Sequence, residues 1–414
     1  MIVLLPESVS QTPVANNKTA LKILSRIVTG QIEICRRYRM DKELKGGPRS
    51  RGAIFKQWAN IHSRELKSMD GAYAGALKEL LTHGLIVENP RYSNRPGEEF
   101  TKSYRLHKDL WDDELRLSTI KQRRSIKRRT IVRGGKGVFT SSHSLAEEFL
   151  DVFYLPDDEG AVSHYEDICK AAKWPDQQRS AVAVLNDRRW WSSVDEYGRY
   201  HTPLTNLNKE LRLSLLCSGK RIVGFDFANF QPALLAIHPA GVIPGEESDR
   251  YATLCRAGGL YEAILKESKY ATRNAVKKAL LKMLNDKNSP MRKMEVWSAF
   301  SKMFPGYAKL IEEIKQTDHT NMANYLQKTE ATIMFGEIVD QFCKRTDNRA
   351  PFFTCHDCVY TTREWADQLK STMVDVANTW GIPVKIKQET TVNQSCSPTT
   401  TYVTTKQLVL GLGV

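Results

Sequence analysis

RIVGFDFANFQPALLAI, residues 221–237, changes character around Asp226. The apolar, partly β-branched residues up to Phe227 read as a strand, Asn229 interrupts it, and Pro232 followed by ALLAI reads as a helix with proline in its first turn. Asp226 therefore stands near a strand end and shortly before a helix N-terminus. That position suits a metal ligand, and a capping or buried structural aspartate equally. Its counterpart is APFFTCHDCVYTT, residues 350–362, where FFTC and CVYTT flank His356 and Asp357 as a tight hairpin that pushes the carboxylate out of the sheet edge. A turn aspartate without chemistry has the same local pattern. The two aspartates are 131 residues apart, which leaves room for a sizeable insert between two strands of one sheet. Carboxylates held on rigid strands are how two Mg²⁺ ions about 3.5–4 Å apart are bridged for phosphoryl transfer, because Mg²⁺ demands hard oxygen ligands in near-octahedral geometry.

Composition agrees with a polyanionic substrate. The 414 residues, 41% hydrophobic and 26% charged, suffice for two or three domains with a substantial core. Sixty-one Lys and Arg against 47 Asp and Glu give a net charge of +14, which favours nucleic acid first and an acidic membrane surface second. No stretch approaches the ~20 apolar residues that span a bilayer, and the opening MIVLLPESVS has only a short apolar run before Pro6 and Glu7. A cytoplasmic or nucleoid-associated location, in a host cell where the chain belongs to a mobile element, is the expectation. Eight scattered cysteines argue for reduced thiols rather than a disulfide framework. Cys355 and Cys358 form a lone C-x-x-C without the further ligands that zinc requires.

Residues 1–112 read as a small independent module. Asp70 is placed to cap a helix carrying Ala76, Leu77, Leu80 and Leu81, and Gly84 to end it. LIVENPRYS and FTKSYRL then form a hairpin across the turn-rich NRPGEE. Helices followed by a hairpin bearing Arg91, Tyr92, Arg95, Lys102, Tyr104 and Arg105 resemble a winged helix-turn-helix, in which one helix enters a DNA groove and the wing touches phosphate. A structural or protein-binding module of the same shape is the alternative. From Leu115 to Ala146 there is no acidic residue, while Arg116, Lys121, Arg123, Arg124, Lys127, Arg128, Arg129, Arg133 and Lys136 are basic. Such a run is either a solvated linker or a strip along phosphates, and Arg123, Arg124, Arg128 and Arg129 are its candidate nucleic-acid contacts.

KYATRNAVKKALLKMLND (269–286) puts Arg273 and Lys277 four residues apart on one helix face, with Val276, Leu280 and Leu284 on the other. Two cations one turn apart suit the charges of a triphosphate, although a basic solvated face is the commoner meaning of the pattern.

In order and spacing these elements resemble motifs A, B and C of the family A nucleic-acid polymerases, the group of bacterial DNA polymerase I. The likeness spans roughly residues 190–390. GRYHTPLTNLNKELR (198–212) is similar to the family's segment before motif A, which implies that Arg199 touches the primer–template. Asp226 and Asp357 match the metal ligands, His356 the histidine of motif C, and Arg273 and Lys277 the pair that grips the incoming nucleoside triphosphate. QKTEATIMFGEI (327–338), led by Gln327, resembles the helix before the last palm hairpin, and IPVKIKQE (382–389) the strand after it. The resemblance implies an α+β right-hand architecture. Palm and fingers would occupy 191–414, with the fingers at about 245–320, and a basic connector with a reduced thumb would occupy 113–190. The winged-helix-like module would come before them. It also implies two Mg²⁺ ions, with Mn²⁺ as a substitute, and a DNA template and primer.

Departures from the family narrow that reading. Gln231 stands where DNA polymerases carry the glutamate that crowds the ribose 2′ position, and Leu281 and Asn285 stand at positions that carry rings. Cys358 replaces the glutamate after Asp357, and residues 113–190 are too few for a proofreading exonuclease. These features imply relaxed sugar selection and a primase-like or replication polymerase of a phage or plasmid, working with replication partner proteins. A non-catalytic DNA-binding replication initiator built on a degenerate palm is the rival expectation.

Overall fold

The computed structural model is α+β and describes residues 1–38, 54–91, 102–121, 131–239, 243 and 245–389. Arg123, Arg124, Arg128 and Arg129 lie outside the described residues, as does the tip of the N-terminal hairpin. Among the described residues, no helix is long and apolar enough to cross a membrane.

The chain opens with β1 (Ile2–Pro6), buried along its length, and the helix Lys18–Tyr38. β2 (Ala59–Asn60), helices Ser63–Met69 and Tyr73–Thr82, β3 (Ile86–Glu88) and β4 (Ser103–Leu106) follow, the three short strands pairing in the order β2-β4-β3. Ala76 and Leu80 are the buried positions of helix Tyr73–Thr82, and Gly84, at φ 64°, follows its C-cap His83. Ala72, not Asp70, is the N-cap. The Asp70 carboxylate instead accepts from the Ala72 N–H at 2.9 Å and the Thr19 hydroxyl at 2.6 Å, which ties the turn to the helix Lys18–Tyr38.

β5 (Leu115–Thr119) pairs antiparallel with β1 along its whole length, Ile2 lying opposite Thr119. Lys18–Tyr38 packs on the helix Pro175–Asn186, so one core runs from Ile2 through Val28 and Leu106 to Val182 and Leu211. This corrects the expectation of an independent module over 1–112. β1 is wholly apolar from Ile2 to Leu5, and the partner that satisfies its backbone lies beyond residue 112.

β6 (Val132–Gly135), β7 (Phe153–Tyr154), β8 (Trp191–Val194) and β9 (Tyr200–His201) come next, with β6 parallel to β8 and β8 antiparallel to β9. The basic run ending near β6 is partly neutralised by acids distant in sequence. Arg116 meets Glu7 at 3.2 Å, Arg133 meets Glu147 at 2.6 Å, and Lys136 lies 3.9 Å from Glu196.

The central sheet adds β10 (Leu216–Cys217), β11 (Lys220–Ala228), β12 (Phe352–Cys355), β13 (Cys358–Thr362) and β14 (Lys385–Glu389) to β7. Its order is β12-β13-β11-β10-β7, with β14 also on β11. Strand periodicity divides its side chains between two cores. Val223, Phe225, Phe227, Phe352 and Val359 join the helices inserted between β11 and β12, whereas Ile222, Phe353, Cys355, Cys358 and Tyr360 join the N-terminal core. Gly224 and Asp226 share the face of Ile222, so Asp226 looks away from the inserted helices' core.

Candidate active site

Antiparallel pairing of β11 with β13 sets Asp226 directly opposite Cys358, one residue from Asp357 in the β12–β13 turn. The turn is tight because Cys355 pairs with Cys358 and His356 adopts the left-handed conformation at φ 57°. Sequence positions 226 and 357 thus meet, near enough for their carboxyls to share a hydrogen bond when one is protonated. Burial first, then the charges of Asp357 and Glu389, push the Asp226 carboxyl up to about 8, with Lys277 opposing. Asp226 Oδ1 is buried and has no hydrogen-bond partner among the described residues. A hard carboxylate donor with an orphaned oxygen, next to a second carboxylate, fits Mg²⁺ or Mn²⁺. Among the described residues no cluster of three or more His, Cys, Asp or Glu side chains is arranged around a metal position, so this pair is what the site would offer a cation.

Cations converge on Asp226. Thr272 caps the helix Arg273–Asn285 by accepting the Ala275 N–H, and Arg273 is its first residue. Arg273 is held by Glu262 at 2.6 Å, with its guanidinium 5.0 Å above the Tyr261 ring. Lys277 follows one turn later, exposed and within electrostatic reach of Asp226. Leu281, one further turn along, is half-buried, and the exposed Asn285 donates to its carbonyl at 2.6 Å. β14 contributes a cation that the sequence reading missed. Lys387 lies opposite Asp226 in register, and burial followed by Arg273 pushes its ammonium down. The alternation Lys385, Lys387, Glu389 in IPVKIKQE was the available signal, since alternate residues of a strand share a face.

A second cluster forms on the side of Asp357. Arg199 donates Nε and Nη2 to Glu330 at 3.0 and 2.6 Å and Nη1 to Gln327 at 3.1 Å. Gln231 Nε2 donates to the other Glu330 oxygen at 3.0 Å. The unpredicted carboxylate of Glu330 therefore joins Arg199 to Gln231, and Gln327 attaches through Arg199. Burial raises the Glu330 carboxyl, and Arg199 opposes that rise. His356 has accessible surface but crowded surroundings, and this desolvation, followed by the charges of Arg199 and His201, pushes its imidazole down. That environment favours the neutral imidazole.

Below the aspartates, Tyr360 donates its hydroxyl to Glu389 Oε2 at 2.8 Å and accepts from Arg212 Nε at 3.2 Å, while Lys209 meets Glu389 Oε1 at 2.7 Å. Burial raises the Glu389 carboxyl, but the Lys209 and Tyr360 hydrogen bonds prevail and hold it below its ordinary value. Cys355 and Cys358 are free and buried, and burial pushes both thiols up, so neither is an activated thiolate.

No protein-family model matches the chain, and no curated protein resembles it in sequence. Among solved structures, the POL domain of Pol1 from M. smegmatis, in complex with DNA primer-template and dNTP, is similar at a TM-score of 0.36 and 10% identity. That match spans 57% of this chain and 57% of the other.

Proposed function

We propose that the protein is a template-directed nucleotidyltransferase acting on DNA, a polymerase or primase-polymerase with relaxed sugar selection. The observation that carries this reading is the meeting of Asp226 and Asp357 across β11 and β13, with Asp226 Oδ1 buried and unpartnered among the described residues and Lys277 within electrostatic reach of it. A scaffold has no use for a second carboxylate placed where it raises the proton affinity of Asp226. This argues against the non-catalytic initiator.

Asp226 and Asp357 would hold two Mg²⁺ ions, or Mn²⁺, which when bound supply positive charge to the attacking and leaving oxygens. The remaining work falls to the chain's own cations. A primer 3′-hydroxyl, or the hydroxyl of a first nucleotide, attacks the α-phosphate as the bond to the β-phosphate breaks and pyrophosphate leaves. Arg273, Lys277 and Lys387 bind the β- and γ-phosphates and stabilise the charge that develops there. Arg273 exchanges Glu262 for phosphate when the nucleotide enters, trading one charge-assisted pair for another. Arg199 lies within electrostatic reach of His356, the neighbour of Asp357, and this pair would meet a primer end.

The element order helix, strand, two helices and two strands over Lys18–Leu106, with the sheet order β2-β4-β3, supports reading this part as a winged helix-turn-helix that binds duplex DNA. With a compact palm and fingers, it suits replication of a phage or plasmid. Primer extension tests the proposal, run with and without primer, with deoxy- and ribonucleotides, and with Mg²⁺ or EDTA. Metal-dependent incorporation is expected from the wild type, and its absence under every combination would refute the reading.

A further inference from the structure

The two faces of the sheet β2-β4-β3 differ in what they meet. Ala59, Ile86, Tyr104 and Leu106 are buried in the core shared with the helices Lys18–Tyr38 and Tyr73–Thr82. Strand alternation turns Asn60, Val87, Ser103 and Arg105 to the other face, where Asn60 is exposed and Val87 and Arg105 are half-buried. None of these outward side chains is a carboxylate.

Two indoles frame Arg105. Its guanidinium carbon lies 4.4 Å from the centre of the Trp58 ring and 5.9 Å from that of Trp111. Both tryptophans are half-buried, and Trp111 is fixed by its Nε1, which donates to the Leu106 carbonyl at 3.0 Å. Among the described residues Arg105 has no hydrogen bond or ion pair. Asp109, Asp113 and Glu114, in the segment that carries Trp111, are engaged elsewhere: with His107 at 3.3 Å, Ser8 at 2.6 Å and Arg116 at 3.2 Å.

A guanidinium held over an indole face by cation–π attraction is not spent, since its N–H groups can still donate, and their fork matches the oxygens of a phosphate. The indoles suit a nucleobase, and a base is open to stacking on protein where it is unpaired and splayed from its neighbours. In duplex DNA the bases stack on one another and offer their edges alone.

We propose that Trp58, Arg105 and Trp111 form a binding site for single-stranded nucleic acid, in which Arg105 takes a backbone phosphate and the indoles stack the flanking bases. The site lies on the face of the sheet opposite the helices that the winged-helix reading assigns to duplex DNA, and it does not depend on the polymerase chemistry.

The test is equilibrium binding of the full-length chain, without metal or nucleotide, read by fluorescence anisotropy. The labelled probes are a short oligo-dT, an abasic deoxyribose-phosphate oligomer of the same length, and a duplex. Wild type should bind oligo-dT more tightly than the abasic oligomer. Trp58→Leu should weaken oligo-dT binding by about 10-fold, the effect of one lost stacking partner, and leave the abasic oligomer and the duplex within about 2-fold. Arg105→Gln should weaken oligo-dT and the abasic oligomer alike, and lower the slope of log affinity against log salt for both by about 0.7. A cluster that merely supports the fold would lose all three probes together. Unchanged oligo-dT binding in both variants, an equal loss for the duplex, or a wild type that holds oligo-dT no better than the abasic oligomer overturns the inference. The last comparison needs no variant, so a variant that fails to fold does not shield the proposal. Nucleotide incorporation is not read, so failure here leaves the polymerase reading standing, and failed primer extension leaves this site standing.

Discussion

Asp226 carries opposing demands, because a carboxylate buried beside Asp357 and Glu389 is costly until a cation joins it. Asp226→Asn and Asp357→Asn should each abolish Mg²⁺-dependent incorporation in a primer-extension assay while DNA binding persists. The folded-state value of Asp226 lies above the ordinary 3.8, so the native protein keeps a proton that the unfolded chain has released. Its contribution to stability therefore falls as pH rises from about 4 to 8. Asp226→Asn should remove that fall and make the metal-free protein more stable at pH 8 by at least ~1 kcal/mol in urea denaturation. Lys315 shows the converse sign. It is buried, and its Nζ donates to the carbonyls of Met283 and Asp286 at 2.5 and 3.0 Å, closing the end of the helix that begins with Arg273. Burial pushes its ammonium down to about 8, so between about pH 8 and 10.5 the unfolded chain binds more protons and stability rises with pH. Comparing wild type with Lys315→Met across that window should show a rise of up to about 3 kcal/mol that the variant lacks.

At the scale of elements, β11 organises the site because three strands use it at once. β13 brings Asp357, β14 brings Lys387 and Glu389, and β10 returns the chain from the segment containing Arg199. Gly224 makes the arrangement possible: a Cβ there would stand 2.6 Å from the Tyr360 ring and 3.1 Å from the Cys358 sulfur. Gly224→Ala must displace the ring whose hydroxyl holds Glu389, and we expect a loss of about 1–3 kcal/mol in denaturant unfolding, with reduced incorporation. The helix Thr320–Ala331 packs on Phe230–Leu235, which carries Glu330 to Gln231 and continues into the π-helical Thr332–Val339. Glu330 thus lies in the last turn before this rare π-helical geometry begins.

For the whole molecule, the shared core and the basic surface make different demands. Because β1 pairs with β5 and Lys18–Tyr38 packs on Pro175–Asn186, deleting residues 1–112 should expose the core of the remaining chain. Poor solubility and strong binding of a hydrophobic dye are expected, whereas a module with its own core would leave a well-folded remainder. Neutralising Arg123, Arg124, Arg128 and Arg129 together should weaken DNA binding for every sequence. It should also lower the slope of log affinity against log salt by about 0.7–0.9 per lost phosphate contact. An unchanged slope in a fluorescence titration would make the run a linker.

The sequence alone determined the local pieces: the strand through Asp226, the His356–Asp357 turn, the helix with Arg273 and Lys277 on one face, and the helix ending before Gly84. Each follows from propensity, periodicity or turn chemistry within about twenty residues, where pattern and structure are coupled directly. Only the tertiary structure decided which pieces meet. That β1 completes a sheet with β5, that Lys387 stands beside Asp226, that Arg133 is answered by Glu147, and that Glu330 joins Arg199 to Gln231 all depend on strand register and burial between distant segments. A one-residue change of register would turn Asp226 into the core of the inserted helices without altering any local pattern, so the site's composition was written in pairings that no short window of sequence contains.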